Sequence, residues 1–131
     1  MKIQKFEDLQ IWKLGLQITK DIYDLTAMGE FSKDYELKSQ IKRAVISISS
    51  CIVEGFEKNN NNEFIRFLGM AKGSCGEARN QLQLARIVRH ITSEEFNKVN
   101  EKLLEEAGKI GAFISYLEKQ RKQGNFIKKT R

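Results

Sequence analysis

Gln40, Arg43, Ser47, Ser50 and Glu54 follow one another at intervals of three, four, three and four. On a helix that spacing stacks all five side chains on one face. An amide, a guanidinium, two hydroxyls and a carboxylate in a row could form an active-site seam or a structural network between helices. Glu54 could pair with Glu77 for acid–base work or for a divalent metal. Arg43 and Gln40 are simpler partners for either carboxylate, which favours a structural salt bridge. The rest of the segment is apolar (Ile41, Ala44, Val45, Ile46, Ile48, Ile52, Val53). That leaves almost no ordinary solvated face and suggests a helix covered on most sides, with a polar seam in need of partners.

Other chemistry is sparse. His90 is the sole histidine, and Cys51 and Cys75 lie far apart with no paired Cys or His spacing. A tetrahedral zinc site needs four converging ligands, and a di-metal bundle of the Glu-x-x-His type needs a motif absent from this chain. Both cysteines are read as reduced core thiols. Gly69, Gly73 and Gly76 fall within eight residues, yet the segment matches no nucleotide-binding fingerprint and follows no strand. The sequence therefore predicts no catalytic residue, no metal ligand and no cofactor.

The segments that must carry these residues read as four helices. The first spans about 8–28, with apolar stripes of Leu9, Trp12, Leu16 and Tyr23 and of Ile11, Ile18, Ile22 and Leu25, and is stopped by Gly29. Ser32 or Asp34 caps the second, about 34–56. Asn59, Asn60, Asn61 and Asn62 form a connector. The third helix, about 63–90, has the apolar line Phe64, Phe67, Leu68, Ala71, Cys75, Ala78, Leu82 and Ala85. Each interior glycine of that helix costs about 1 kcal/mol relative to alanine, which close helix–helix approach would offset. Thr92 with Glu95 matches a capping box for the fourth helix, about 93–121, with Phe96, Val99, Leu103, Ala107, Ile110, Ile114 and Leu117 facing inward. Short connectors make neighbours antiparallel, so the fold class is all-α, an up-down-up-down four-helix bundle over 1–121 followed by a tail, 122–131.

With 131 residues, 40% of them hydrophobic, 31% charged and no proline, the chain is expected to be one soluble, helical domain. It has no bilayer-length apolar run and no apolar leader, so a cytoplasmic location is expected. The net charge of +6 is concentrated at one end. Lys119, Arg121, Lys122, Lys128, Lys129 and Arg131 occur with no acid among them, while the 118 preceding residues carry 17 charges of each sign. Such a tail can displace counterions from a phosphate backbone, and it is the candidate nucleic-acid contact. Arg79, Arg86 and Arg89 could extend the basic surface.

Three ordered stretches resemble one family. They are Phe6, Glu7, Asp8, Leu9, Gln10, Ile11 and Trp12; Leu37, Gln40, Arg43, Ala44, Ser47 and Ile48, closing at Glu54, Gly55 and Phe56; and Glu63 to Leu68 with Ala71, Gly73, Ser74 and Glu77. Together, over about residues 6–118, they resemble the proteins encoded by intervening sequences of bacterial 23S ribosomal RNA genes. The chain departs from the usual signature at Ser49, where proline is common, and at Cys51, where asparagine is common. The resemblance implies a four-helix bundle that assembles as a ring-shaped homopentamer. It also points to a related group of diversity-generating retroelement accessory proteins, which bind a reverse transcriptase and nucleic acid.

Two functions are expected from these observations. The first is a non-catalytic homo-oligomer that binds nucleic acid, RNA among the candidates, weakly and without sequence preference. Its assembly would use the seam of Gln40, Arg43, Ser47, Glu54 and Glu77. The alternative is a protein-interaction scaffold for a nucleic-acid enzyme such as a reverse transcriptase, with no nucleic-acid affinity of its own. In both cases the partners are the chain itself and nucleic acid or its enzyme, and no membrane.

Overall fold

A computed structural model describes residues 3–124. It contains four helices: α1 (Gln10–Thr26), α2 (Tyr35–Glu57), α3 (Asn61–Ile87) and α4 (Ser93–Lys122). Two short 3-10 turns, Phe6–Asp8 and Gly29–Lys33, flank α1. No strand occurs among the described residues.

Local chemistry sets the helix ends. The Asp34 side chain accepts from the Leu37 N–H, the Asn60 side chain from the Glu63 N–H, and Thr92 and Glu95 complete a reciprocal capping box. Asn59 takes a left-handed conformation (φ 54°) in the three-residue turn between α2 and α3. Asn61 and Asn62 already belong to α3. The expected stop at Gly29 comes two residues late. α1 ends at Thr26, whose hydroxyl donates back to the Ile22 and Tyr23 carbonyls at 2.8 and 3.2 Å. Gly29, at φ 51°, then opens the turn that drives Phe31 fully into the core.

Contacts between helices run antiparallel at every interface. Along α2 and α3, Asp34 meets His90, Ser47 meets Ser74, and Gly55 meets Phe64 and Phe67. Along α3 and α4, Arg79 meets Asn100 and Asn62 meets Arg121. On α1, Thr19 reaches the Val45 carbonyl of α2, while Gly15 and Asp21 face Glu106 and Lys102 of α4. Each helix thus packs on two neighbours, and the order is up-down-up-down around one core.

The expected apolar line of α3 is buried throughout, as are Ile41, Ala44, Val45, Ile48 and Ile52 of α2. Each fully buried Ile or Leu contributes about 1.5–3 kcal/mol relative to its exposed state. Two expectations for the core are corrected. Leu16 and Tyr23 are each 43% exposed, so the inward face of α1 is narrower than its apolar stripes. At Gly69, Gly73 and Gly76 a Cβ would meet no neighbouring helix within 4 Å among the described residues, so close approach within the bundle does not explain them. Close packing instead belongs to Gly55, where a Cβ would lie 2.6 Å from that of Phe67.

Candidate functional site

A cleft of about 640 Å³ lies between α2 and α3. Tyr35, Gln40, Arg43 and Ser47 line it from α2, and Glu77 and Gln81 from α3. The seam is therefore solvated in a single copy: Gln40, Arg43, Ser50 and Glu54 are exposed and Ser47 is half-buried. The expectation that α2 is covered on most sides does not hold within one chain. Four helices cover only two sides of each member, and the seam lies at the solvent edge of the α2–α3 contact, where only Ser47 reaches the neighbouring helix.

Polar bonding within the cleft is local. Gln40 donates to Glu36 at 3.0 Å, one turn earlier. At the floor, Ser74 donates to the Ser47 hydroxyl at 3.1 Å, and Ser47 lies 3.6 Å from the Cys51 sulfur. Arg43 and Glu77, although they line the same cleft, enter no ion pair or hydrogen bond among the described residues. Glu54 lies outside the cleft and acts on Arg66, whose guanidinium is held above its ordinary pKa first by Glu63 and last by the Glu54 charge. The structure thus brings Gln40, Arg43, Ser47 and Glu77 together and leaves Glu54 apart. Gln81 is only 7% exposed, and its side-chain carbonyl oxygen has no partner.

Of the candidate phosphate contacts, Lys119, Arg121 and Lys122 lie on the last turn of α4, and Lys128, Lys129 and Arg131 lie outside the described residues. Cations at a helix C-terminus also complement its dipole. Arg121 donates to Asn62 at 2.7 Å, tying the end of α4 to the start of α3. Arg79 and Arg86 are half-buried and serve the bundle: Arg79 donates to Asn100, and Arg86 holds Gln83 and lies 4.8 Å over the Phe96 ring. Arg89 alone of the three is exposed.

His90 is tied to the fold. Its Nε2 lies 2.8 Å from the Asp34 carboxylate, and its ring stacks on Phe31. The His90 bond, with the Leu37 amide, holds the Asp34 carboxyl below its ordinary pKa. Cys51 and Cys75 are buried and free. Burial, with the nearby Glu106 charge second, pushes the Cys75 thiol up to about 12, which leaves it far from a reactive thiolate. No group of three or more His, Cys, Asp or Glu side chains gathers as a metal site among the described residues.

Sequence reasoning missed Glu106. It has no solvent exposure, and neither carboxylate oxygen has a hydrogen-bond partner. Oε2 rests against Gly15 of α1, 3.2 Å from where a Cβ would sit. Desolvation pushes its pKa up to about 8, with Glu105 adding to the shift and Lys109 opposing it, so Glu106 is neutral at pH 7. A signal existed: Phe96, Val99, Leu103, Glu106, Ile110, Phe113 and Leu117 alternate at three and four. Glu106 occupies an inward position of that stripe.

Fold and cleft together define an antiparallel helical bundle with a solvated polar cleft and a cationic helix end. The chain belongs to the 23S rRNA-intervening sequence protein family, whose model matches residues 7–112. It is similar to a crystal structure of a protein of unknown function from the S23 ribosomal protein family of Bacteroides thetaiotaomicron, with a TM-score of 0.73 and 22% identity. That match covers 79% of this chain and 97% of the other, and at this identity it establishes the fold. No curated protein matches the chain. No helix among the described residues is long and apolar enough to cross a membrane.

Proposed function

We propose that this protein is a non-catalytic, self-assembling helical bundle, a homopentamer as the family resemblance implies, that contacts nucleic acid electrostatically. The observation that carries the assembly is the cleft: Arg43 and Glu77 are exposed there, and neither is paired among the described residues. A neighbouring copy supplies both missing partners. Contact with phosphate falls to the end of α4, where the Lys119 and Lys122 side chains enter no ion pair or hydrogen bond among the described residues and Lys128, Lys129 and Arg131 follow in the sequence. Repeating that cluster around an assembly multiplies individually weak contacts. Binding of this kind is salt-sensitive and reads no bases.

Light scattering and a gel-shift assay at two salt concentrations test both halves. The full chain should scatter as a multimer and lose most of its RNA binding as salt rises. A chain ending at Glu118 should assemble normally and bind far less. Equal binding by the shortened chain would remove the α4 end from the interface.

A scaffold for a nucleic-acid enzyme such as a reverse transcriptase is the second reading. Exposed Leu84, Ile87 and Val88 at the end of α3 favour it, because apolar surface of that kind suits a protein partner. A multimer that binds no RNA even at low salt would select the scaffold over the direct contact.

A further inference from the structure

Two features of the cleft between α2 and α3 go unsatisfied inside one copy. Arg43 on one wall and Glu77 on the other have no ion pair or hydrogen bond among the described residues. Gln81 lines the same cleft, is more than nine-tenths buried, and has a side-chain carbonyl oxygen without a donor. Buried acceptors are nearly always bonded, and a donor entering from the cleft would satisfy this one. The volume of about 640 Å³ falls within the range of about 300–1,000 Å³ typical of small-molecule sites.

The charges on the walls select the ligand. Glu36 and Glu77 contribute two carboxylates and Arg43 one guanidinium, so acids outnumber bases in the lining. A phosphate meets more like charge than opposite charge there. A polyamine suits the acids but sets a further cation against Arg43. A neutral sugar leaves Arg43 and Glu77 as they were. A divalent metal has too few ligands, since no group of three His, Cys, Asp or Glu side chains gathers among the described residues. The complementary set is two cationic groups and one carboxylate on a single small molecule, and a basic α-amino acid carries that set.

We propose that this cleft binds a basic α-amino acid, arginine or lysine, with its carboxylate on Arg43 and its side-chain cation on Glu77. A guanidinium grips a carboxylate through two parallel hydrogen bonds, which fixes the α-carboxylate on the α2 wall. Axes of packed helices stand about 8–10 Å apart, a gap that an extended basic side chain bridges from one wall to the other. The ligand's ammonium donates to the Gln81 carbonyl oxygen, and the Glu36 charge adds to the field that holds it. The site is complete in one copy and goes beyond the assembly proposed above. It shares Arg43 and Glu77 with that assembly, so a filled cleft competes with a neighbouring copy, and this consequence alone rests on the earlier reading.

The test uses the full chain. Equilibrium dialysis of labelled L-arginine should show one saturable site per chain. Agmatine, which lacks the carboxylate, and citrulline, which lacks the cation, should each bind at least about tenfold more weakly. Arg43→Gln should weaken arginine by a similar factor and leave agmatine unchanged, whereas Glu77→Gln should weaken arginine and leave citrulline unchanged. Both residues are exposed, so both variants should keep the parent's helical circular dichroism. In light scattering, arginine should disperse the multimer and citrulline should not. No saturable uptake of arginine, or equal binding of all three compounds, overturns the site, while a multimer in the same sample leaves the assembly standing. Saturable uptake by a chain that scatters as a single copy at every concentration supports the site and overturns the assembly. Saturable uptake with the multimer undisturbed supports the site and removes the cleft from the assembly contact.

Discussion

The seam on α2 and the inward stripe of α4 are built on the same alternation of three and four residues, and both contain carboxylates. They differ in the solvent each one meets. On α2, Arg43, Ser50 and Glu54 stand in water, where an exposed charge costs almost nothing and an ion pair adds little. On α4, Glu106 takes the place of an apolar residue at full burial, without a hydrogen bond to either oxygen. A buried carboxyl in that position stays folded by keeping its proton. The comparison teaches that a polar stripe is not a site by virtue of its spacing. What matters is whether the groups are paid for in water, in the core or by a partner.

The largest effect that would break the comparison belongs to Glu106. The folded chain holds a proton there that the unfolded chain releases above 4.5, so stability falls as pH rises from 4.5 to about 8 and is level beyond. At pH 7 this penalty is about 3 kcal/mol. Glu106→Leu should remove it, raising stability at pH 7 by that order and abolishing the slope. Urea melts between pH 5 and 8 check this, and parallel slopes in parent and variant would refute it.

Gly55 and Gly73 sharpen the contrast between the inner and outer sides of the helical pair α2 and α3. Gly55→Ala forces a Cβ to 2.6 Å from Phe67 and should cost about 2 kcal/mol in a thermal melt. Gly73→Ala meets nothing and should stabilise the single copy by up to about 1 kcal/mol, read at dilutions where assembly is absent. Equal signs for the two substitutions would erase the distinction. The smallest effect is expected at the seam itself. Arg43→Ala should change the stability of the single copy by no more than about 0.5 kcal/mol, because the residue is exposed and unpaired. A larger loss at high dilution would show that Arg43 serves its own protomer.

Much of the architecture was legible. Caps at Asp34 and Thr92, the connector at Asn59 and Asn60, and the apolar line of α3 all follow from short-range rules. The candidate site was legible in part: four seam residues meet in the cleft, but Glu54 does not. Glu54 shares the helix face of Arg43 and Gln40 but stands about three and four turns further along α2, beyond the residues that line the cleft. Gln81 and Glu106 carried no signal by residue type, since amides and carboxylates are ordinarily exposed.

The sequence by itself determined the number of helices, caps at Asp34 and Thr92 and the buried line of α3, because capping and periodicity act within a few residues. It also set the family and the charge of the C-terminal end. Only the tertiary structure decided which side of each helix was left over. A helix chooses its solvated face by where its two neighbours stand, and that is a property of the whole bundle. For this reason the seam came to lie outside, the three glycines of α3 came to face open space, and one glutamate of an otherwise apolar stripe was shut inside.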